Sequence, residues 1–355
     1  MHIRAIAKNG VVRLASVLLV FATGFDVSVA TANEITLKVH HFLGEESLPH
    51  RSLIAPWARQ VEKESNGRIK VEIFPSMGLG GKAPELVKQV REGTVDIVWT
   101  AAAYTPGAFP RSEVFTLPLV HEGDPVTTNL AIMSSIENGL AGDYEDIHPL
   151  LVHFQAGHAL HLAVKSVRNL EDLKGMVIRP AGRGIGLWLV EALGAEASRK
   201  RHPKLPRALK NHQLDGAFMS FQLAETMGVI DVVTSHTMLD ENGYFGTSLY
   251  LFLMNEKRYQ SLAPDLREII DRNSGAGLAR KAGRAWMAAE SAAMATARAK
   301  GNQFNTLITT QPAVQEALQQ VLVRWARKMN AQRIDGLRLI KQARQAIARS
   351  CRLQD

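Results

Sequence analysis

The chain that follows the amino-terminal segment switches between two hydrophobic periods. Ile35–Phe42 and Arg68–Phe74 alternate apolar and polar side chains, which predicts two β-strands. Leu53–Ser65 carries apolar residues at helical spacing, and Glu85–Arg91 does the same further along. Val95–Thr100 is a continuous apolar run of the kind found in buried parallel strands. This order of strands and helices predicts an α/β fold built on a parallel sheet.

The same alternation returns later, with predicted strands in Leu150–Val164, Val177–Arg179 and Ala217–Phe221. The C-terminal third is different, because helical spacing dominates it. The predicted helical segments are Asp265–Lys300, Gln315–Asn330 and Gly336–Arg349. Without the amino-terminal segment about 320 residues remain, more than one hydrophobic core usually serves, so two domains are expected.

The amino-terminal segment has the pattern of a secretory signal. Arg4, Lys8 and Arg13 form a basic region, and the apolar run Leu14–Phe25 is too short to span a membrane. The small residues of Ala30–Ala32 fit a cleavage site, so residues 1–32 are predicted to be a signal peptide. The alternative is an uncleaved anchor, but a stop-transfer pattern is missing.

Composition narrows the function classes. The single cysteine, Cys351, allows no internal disulfide, thiol–metal cluster or CxxC redox motif. The formal net charge of +8 owes much to a basic run within Arg199–Lys210. Such a run can attract nucleic acid, but no aromatic interleaving or helix-turn-helix pattern accompanies it, so no nucleic-acid partner is expected.

The strand Met176–Arg179 delivers one arginine to a Pro/Gly-rich loop. Open α/β sheets bind ligands at the carboxyl ends of their strands. An arginine there can grip a carboxylate with two parallel hydrogen bonds. Arg179 is therefore the leading candidate for an anion site, with an interdomain salt bridge as the structural alternative.

Four histidines raise the question of a metal site: His148, His153, His158 and His161. Along a strand, residues separated by an odd number face opposite sides. This disfavours joint ligation by His153 with His158 or by His158 with His161. Because no carboxylate is interleaved at ligand spacing, no metal site is expected.

The order and spacing of several stretches resemble the substrate-binding proteins of tripartite ATP-independent periplasmic (TRAP) transporters. The resemblance covers nearly the whole chain after residue 32. The matching stretches are LKVHHFLGEESLPH (37–50), PWARQVEKESNGRIKVEIFPSMGLGG (56–81), LVKQVREGTVDIVWTAAAYTPGAFPRSEVFTLPLV (86–120), LEDLKGMVIRPAGR (170–183), LDGAF (214–218), LFLMNEKRYQSLAPDLREIID (251–271) and RWARKMNAQRIDGLRLIKQAR (324–344).

The resemblance implies a two-lobed clamshell of the periplasmic-binding-protein type, with α/β lobes, crossover strands and a long helix spanning both lobes. Lobe 1 would comprise residues 33–155 plus about 245–270, and lobe 2 residues 156–244 plus about 271–350. The cleft between the lobes would capture a small organic acid and deliver it unchanged to an ion-gradient-driven TRAP permease. A monomeric periplasmic protein without a cofactor and without enzymatic activity is implied.

The resemblance also implies site residues. Arg179 matches the arginine that binds the ligand carboxylate, while Arg183 would reach a second carboxylate or be solvated. Tyr104 and Phe109 lie in a loop that lines the cleft in the family, with loop packing as the alternative. The remaining candidates lie at strand ends or at positions near the cleft: His41, Phe42, Gln155, His158, Phe221 and His236.

One segment departs from the family pattern. Family members usually have an apolar, proline-containing strand where this chain has the basic EASRKRHP (196–203). A basic segment fits a buried strand poorly, so an exposed edge, a permease-docking surface or a second anion contact are the alternatives. A ligand-sensing protein or a degenerate relative with an altered ligand remains open. An enzyme is disfavoured, because no GxSxG is present and the only cysteine lies in the terminal helix.

Overall fold

The structure is a computed structural model that describes residues 34–199, 204–240 and 243–352. The predicted signal peptide and part of the basic segment therefore lie outside the described residues. No helix among the described residues is both long and apolar enough to cross a membrane.

The elements alternate as an α/β fold requires. The strands are β1 (Ile35–His41), β2 (Ile69–Phe74), β3 (Ile97–Ala101), β4 (Ile147–Phe154), β5 (Ala159–Leu162), β6 (Val177–Arg179), β7 (Glu196–Ala197), β8 (Gly216–Met219), β9 (Ser235–Leu239), β10 (Leu249–Asn255) and β11 (Gln303–Leu307). The helices are α1 (Ala55–Glu64), α2 (Leu86–Glu92), α3 (Pro125–Ser135), α4 (Ile185–Ala192), α5 (Leu205–Lys210), α6 (Phe221–Thr226), α7 (Glu256–Gln260), α8 (Pro264–Arg272), α9 (Gly275–Ala299), α10 (Pro312–Ala331) and α11 (Gly336–Arg352).

The first sheet has the strand order β2-β1-β3-β10-β4. β1 is parallel to β2 and to β3, which confirms the parallel unit predicted from the amino-terminal pattern. β10 arrives from far along the chain and inserts antiparallel between β3 and β4. The carboxyl ends of β1 and β3 therefore lie at the same end of the sheet as the amino end of β10.

The second sheet has the strand order β11-β9-β5-β8-β6-β7. β6 and β8 are parallel, and β5 runs antiparallel to β8 and β9. The predicted strand segment 150–164 thus holds two strands, β4 and β5, which lie in different sheets. The departure from the family pattern begins with β7, a two-residue strand at the edge of this sheet, and Glu196 is exposed there.

Two antiparallel segments connect the sheets. The His158 amide donates to the Gly246 carbonyl at 2.8 Å, and the Phe245 amide donates to the His158 carbonyl at 2.9 Å. Gly157 lies in the first of these segments, and a Cβ atom there would lie 2.3 Å from the Tyr244 ring. The crossover is therefore close-packed, and only glycine fits at position 157.

Helix α9 belongs to both halves. It packs against α3 and β4 beside the first sheet, and against α6 beside the second. Gly283, a weak helix former, lies inside it because a Cβ there would come within 2.7 Å of the Val126 Cα. This agrees with the predicted long helix spanning both lobes.

One buried cluster joins the two sheets. Its largest apolar cluster includes Val152 and Phe154 of β4, Ile178 of β6, Phe218 of β8 and Trp325 of α10. Helix α11 packs on α3, although the sequence-based division assigned these two helices to different lobes. The exact lobe boundaries stay a prediction.

Candidate functional site

Arg179 ends β6 and carries a positive charge into the protein. Its side chain is half-buried, and Nη1 donates to the Phe218 carbonyl at 3.2 Å. Among the ion pairs of the described residues, none involves Arg179. Burial lowers the pKa of the Arg179 guanidinium below its ordinary value. A desolvated cation without a carboxylate partner is unfavourable by itself and favours an anionic ligand.

A hydrogen-bonded network lies at the crossover and joins both sheets. Ser220, which follows β8, and Tyr250 of β10 each donate a hydroxyl to Gln155 Oε1 at 3.3 Å. Gln155 Nε2 donates to Ser248 Oγ at 3.2 Å, and Ser248 Oγ lies 2.9 Å from His158 Nε2. The network therefore depends on the two sheets keeping their relative position.

The protonation state of His158 follows from this network. The ring is 7% exposed, and burial first, then the charge of Arg179, lowers the pKa of His158 to about 3. The ring is neutral at ordinary pH. When the Ser248 hydroxyl donates to His158 Nε2, the neutral ring carries its proton on Nδ1. Nδ1 has no hydrogen-bond partner among the described residues, so in this tautomer His158 offers a neutral donor whose ring feels the charge of Arg179.

Aromatic rings continue from this network along the edge of the first sheet. Tyr250 stacks on Trp99 at a centroid distance of 5.0 Å and on Trp286 of α9 at 5.5 Å. Phe42 stacks on Trp99 at 5.6 Å and meets Tyr104 edge to face at 5.0 Å. Tyr104 is 41% exposed. These five residues, called the aromatic cluster below, form a stack that runs from the buried rings of Trp99 and Trp286 to the exposed ring of Tyr104.

His153 anchors the aromatic cluster from behind. The indole Nε1 atoms of Trp99 and Trp286 lie 3.0 and 3.1 Å from its two ring nitrogens. Burial lowers the pKa of His153 to about 3, so the ring is neutral and accepts only one of these N–H groups. No group of three or more His, Cys, Asp or Glu in the described ranges could hold a metal ion.

Two of the predicted site residues, His41 and Arg183, lie outside the hydrogen-bonded network and the aromatic cluster. His41 ends β1 in register with Trp99, is fully buried, and has Nε2 at 3.0 Å from His50 Nδ1. Arg183 is exposed and directly precedes Gly184, the N-cap of α4. Neither residue belongs to the hydrogen-bonded network around Arg179.

Two predicted aromatic residues lie in apolar packing instead. Phe109 is 4% exposed and lies 5.5 Å from the Tyr144 ring, which is the loop-packing alternative. Phe221 is fully buried and stacks on Phe304 at 5.5 Å. Their rings fill the interior, and neither contacts the aromatic cluster defined above.

The predicted site residue His236 has both ring nitrogens occupied. His161 Nε2 donates to the Met219 carbonyl at 3.1 Å, so His161 Nδ1 is an acceptor. His236 Nδ1 lies 2.7 Å from that atom and donates to it, and Asn302 Nδ2 donates to His236 Nε2 at 3.0 Å. This chain, called the histidine relay below, leaves His236 no ring nitrogen for a ligand.

The sequence reasoning missed several residues that the structure brings into the hydrogen-bonded network and the aromatic cluster. They are Trp99, Ser220, Ser248, Tyr250 and Trp286. The sequence offered one clue to Tyr250, because it is a hydroxyl-bearing aromatic residue within the apolar run LYLFLMN. In the structure it is the half-buried member of an otherwise buried strand. The others lie far apart in sequence and carry no shared pattern.

Comparison with known proteins gives a consistent result. The sequence model of the bacterial extracellular solute-binding proteins, family 7, matches residues 39–332. A TRAP solute-binding protein from an unidentified marine microbe, specific for aromatic acids and bound to metahydroxyphenylacetate, is 33% identical with a TM-score of 0.81, covering 89% of this chain and 99% of that one. A TRAP solute-binding protein from Rhodoferax ferrireducens, with copurified benzoate, is 31% identical with a TM-score of 0.79, covering 90% and 100%.

Curated relatives are more distant. A solute-binding protein of Roseobacter denitrificans is 26% identical over 198 residues, which cover 53% of this chain and 58% of that protein. The chain spans 58–63% of the length of the first curated relatives it matches. The similar solved structures are two-lobed TRAP periplasmic binding proteins, and the two-sheet architecture described above is the same mixed α/β fold.

Proposed function

Because the chain belongs to family 7 of the bacterial extracellular solute-binding proteins, we propose that it is an extracytoplasmic receptor for a small aromatic carboxylate. It captures the acid between its two lobes, binds it without transforming it, and delivers it to a TRAP permease. The predicted signal peptide, residues 1–32, would export it to the periplasm, where it acts as a monomer.

The observation that carries this proposal is the unpaired, half-buried guanidinium of Arg179. A carboxylate that replaces water there gains charge-assisted hydrogen bonds in a site of low dielectric constant. His158 adds a neutral donor nearby, which can bind an anion or a carbonyl oxygen without adding charge. The pair therefore suits a monocarboxylate, whose single negative charge Arg179 neutralises.

The aromatic cluster supports an aromatic ligand over a sugar acid. Its rings are connected to His158 through Tyr250, Gln155 and Ser248, and the charge of Arg179 acts on His158. Aromatic walls favour a flat apolar ring by offset stacking and edge contacts. Two solved relatives above 30% identity hold metahydroxyphenylacetate and benzoate, which are small aromatic acids.

The test is thermal unfolding of the chain from Asn33 to Asp355 with benzoate, 3-hydroxybenzoate, D-glucuronate or uncharged benzyl alcohol. A ligand at about a hundred times its dissociation constant stabilises a protein by about 2.7 kcal/mol, which raises Tm by several degrees. We expect this shift with the aromatic acids and its loss in Arg179→Ala. The control variant Arg272→Ala removes an exposed arginine that pairs with Glu64 and should keep the shift.

Each arm has an outcome that contradicts part of the proposal. A shift with glucuronate alone would exclude the aromatic class. A shift that survives Arg179→Ala would remove Arg179 from the site. The absence of any shift, in a protein that unfolds cooperatively, would contradict the receptor function itself.

A further inference from the structure

Glu290 is a buried acid in the middle of α9, and the site described so far does not use it. It is 3% exposed. Its two carboxylate oxygens accept the backbone amides of Phe221 at 2.9 Å and Gln222 at 3.0 Å. No ion pair to Glu290 occurs within the described ranges. The carboxylate is thus held by the first two amides of α6 rather than by a basic side chain.

The environment of Glu290 sets when it ionises. Burial raises the pKa of Glu290 to about 7, although the Gln222 and Phe221 amides and the Tyr244 hydroxyl oppose this by stabilising the ionised form. Tyr244 is the titratable group that faces it from the segment before β10, and burial raises the pKa of Tyr244 as well. The Tyr244 ring therefore stays neutral, and Glu290 changes its charge near neutral pH.

The segment that Glu290 holds also carries partners of the anion site. Phe218, two residues before Ser220, accepts the hydrogen bond of Arg179 through its carbonyl. Ser220 donates to Gln155 in the crossover network. One short stretch of backbone, 218–222, therefore contacts Arg179 at one end and Glu290 at the other.

We propose that Glu290 is a positioning residue of the anion site, and that it makes ligand affinity depend on pH. When ionised, it fixes the backbone at 220–222 and with it the orientation of Arg179 and Gln155. When protonated, it releases this segment. The inference rests on the proposed carboxylate-binding function, and it concerns the regulation of that same site by pH.

The physical reason lies in hydrogen-bond geometry. An ionised carboxylate accepts two N–H groups at once, and such charge-assisted bonds are about twice as strong as neutral ones. A protonated carboxyl group turns one acceptor oxygen into a hydroxyl donor, which opposes an amide donor. Residues 218–222 join the carbonyl that Arg179 binds to the two amides that Glu290 binds, so the coupling runs through this stretch of backbone.

The first test measures the affinity for 3-hydroxybenzoate by calorimetry at pH 6 and pH 8. The ligand carboxyl group, with an ordinary pKa of about 4, is ionised at both values. A group with a pKa of about 7 is about one-tenth ionised at pH 6 and about nine-tenths at pH 8. If only the ionised form is competent, affinity falls about tenfold from pH 8 to pH 6.

The variant Glu290→Gln should bind more weakly than the unsubstituted chain at pH 8, with affinities at pH 6 and pH 8 within about twofold of each other. Its matched control is Asp143→Asn. Asp143 is also a buried acid that accepts two backbone amides, those of Arg111 and Ser112, but it lies beside the 112–116 turn. Asp143→Asn should keep the tenfold pH dependence. An unchanged pH dependence in Glu290→Gln would overturn the proposal.

A second measurement needs no variant and no ligand. Amide hydrogen exchange of Phe221 and Gln222, corrected for the intrinsic effect of pH, should lose protection between pH 8 and pH 6. The amide of Ile69 donates to Ser65 Oγ at 3.0 Å, and this hydroxyl does not titrate. The Ile69 amide should therefore keep its protection. Equal protection of Phe221 and Gln222 at both values would overturn the proposal, even if no acid bound and the proposed function itself failed.

Discussion

Two buried polar regions of the second half of the fold differ in how far their hydrogen-bonding capacity is used. The histidine relay of Asn302, His236 and His161 ends on the Met219 carbonyl, and its ring nitrogens are all partnered. Near Arg179, by contrast, the guanidinium has a single carbonyl partner and Nδ1 of His158 has none in the described part of the chain. Burial of polar groups is common to both, so unused hydrogen-bonding capacity is the feature that separates the proposed binding site from the structural network.

The largest effect that tests this comparison comes from breaking the histidine relay. His236→Ala removes a ring that packs on Phe221 and Phe304 and leaves His161 Nδ1 without its donor. The free energy of unfolding should fall by about 2–4 kcal/mol, as measured by urea unfolding. Affinity for an aromatic acid should stay within about twofold. A loss of affinity with unchanged stability would show that His236 contacts the ligand. It would contradict the distinction between the histidine relay and the region around Arg179.

Acidification should weaken both regions together. Burial lowers the pKa of His161 to about 4, of His236 to about 2 and of His158 to about 3. In the unfolded chain these rings titrate near pH 6.5. Below that pH the unfolded state binds protons that the folded state excludes, so stability is complete above about pH 6.5 and falls towards pH 4.

At pH 5 each such ring costs about 2 kcal/mol relative to pH 7. Urea unfolding at the two pH values measures the total. The acid-dependent loss should shrink by about that amount in His158→Asn, which removes one of the rings. Equal stability at pH 7 and pH 5 would contradict the assignment of these histidines as buried and neutral.

The smallest expected effect concerns His158 in the region around Arg179. His158→Phe keeps a ring but loses the donor, so affinity for 3-hydroxybenzoate should fall about five- to tenfold, the worth of one neutral hydrogen bond. His158→Asn, whose amide nitrogen can occupy the place of Nδ1, should recover part of the loss. If Phe and Asn bind equally well, His158 does not contact the ligand through this proton.

Much of the fold was readable from local pattern. Alternation at Ile35–Phe42 and Arg68–Phe74 predicted β1 and β2, and helical spacing predicted α1, α2 and the long α9. These predictions succeeded because periodicity reports which face of an element is buried. The run 150–164 was less informative, because its apolar character is the same on both sides of the crossover and does not reveal that β4 and β5 lie in different sheets.

The sequence predicted the candidate site only in part, and the reason differs among residues. Arg179 stands out because a strand, an arginine and a Pro/Gly loop follow each other in sequence. Phe221 and His236 match positions near a cleft, yet their side chains face the packed interior of the second sheet. An aromatic or imidazole ring suits packing and ligand contact equally well, so the residue type does not decide between them.

The sequence by itself determined the α/β class, the family resemblance, the expected export and the arginine at a strand end, because each depends on neighbouring residues or on order along the chain. Only the tertiary structure decided which donors remain unused. Tyr250 reaches Gln155 across 95 positions, and Glu290 reaches Phe221 across 69. A hydrogen bond between distant residues depends on the relative position of the two sheets and α9, which no local pattern encodes.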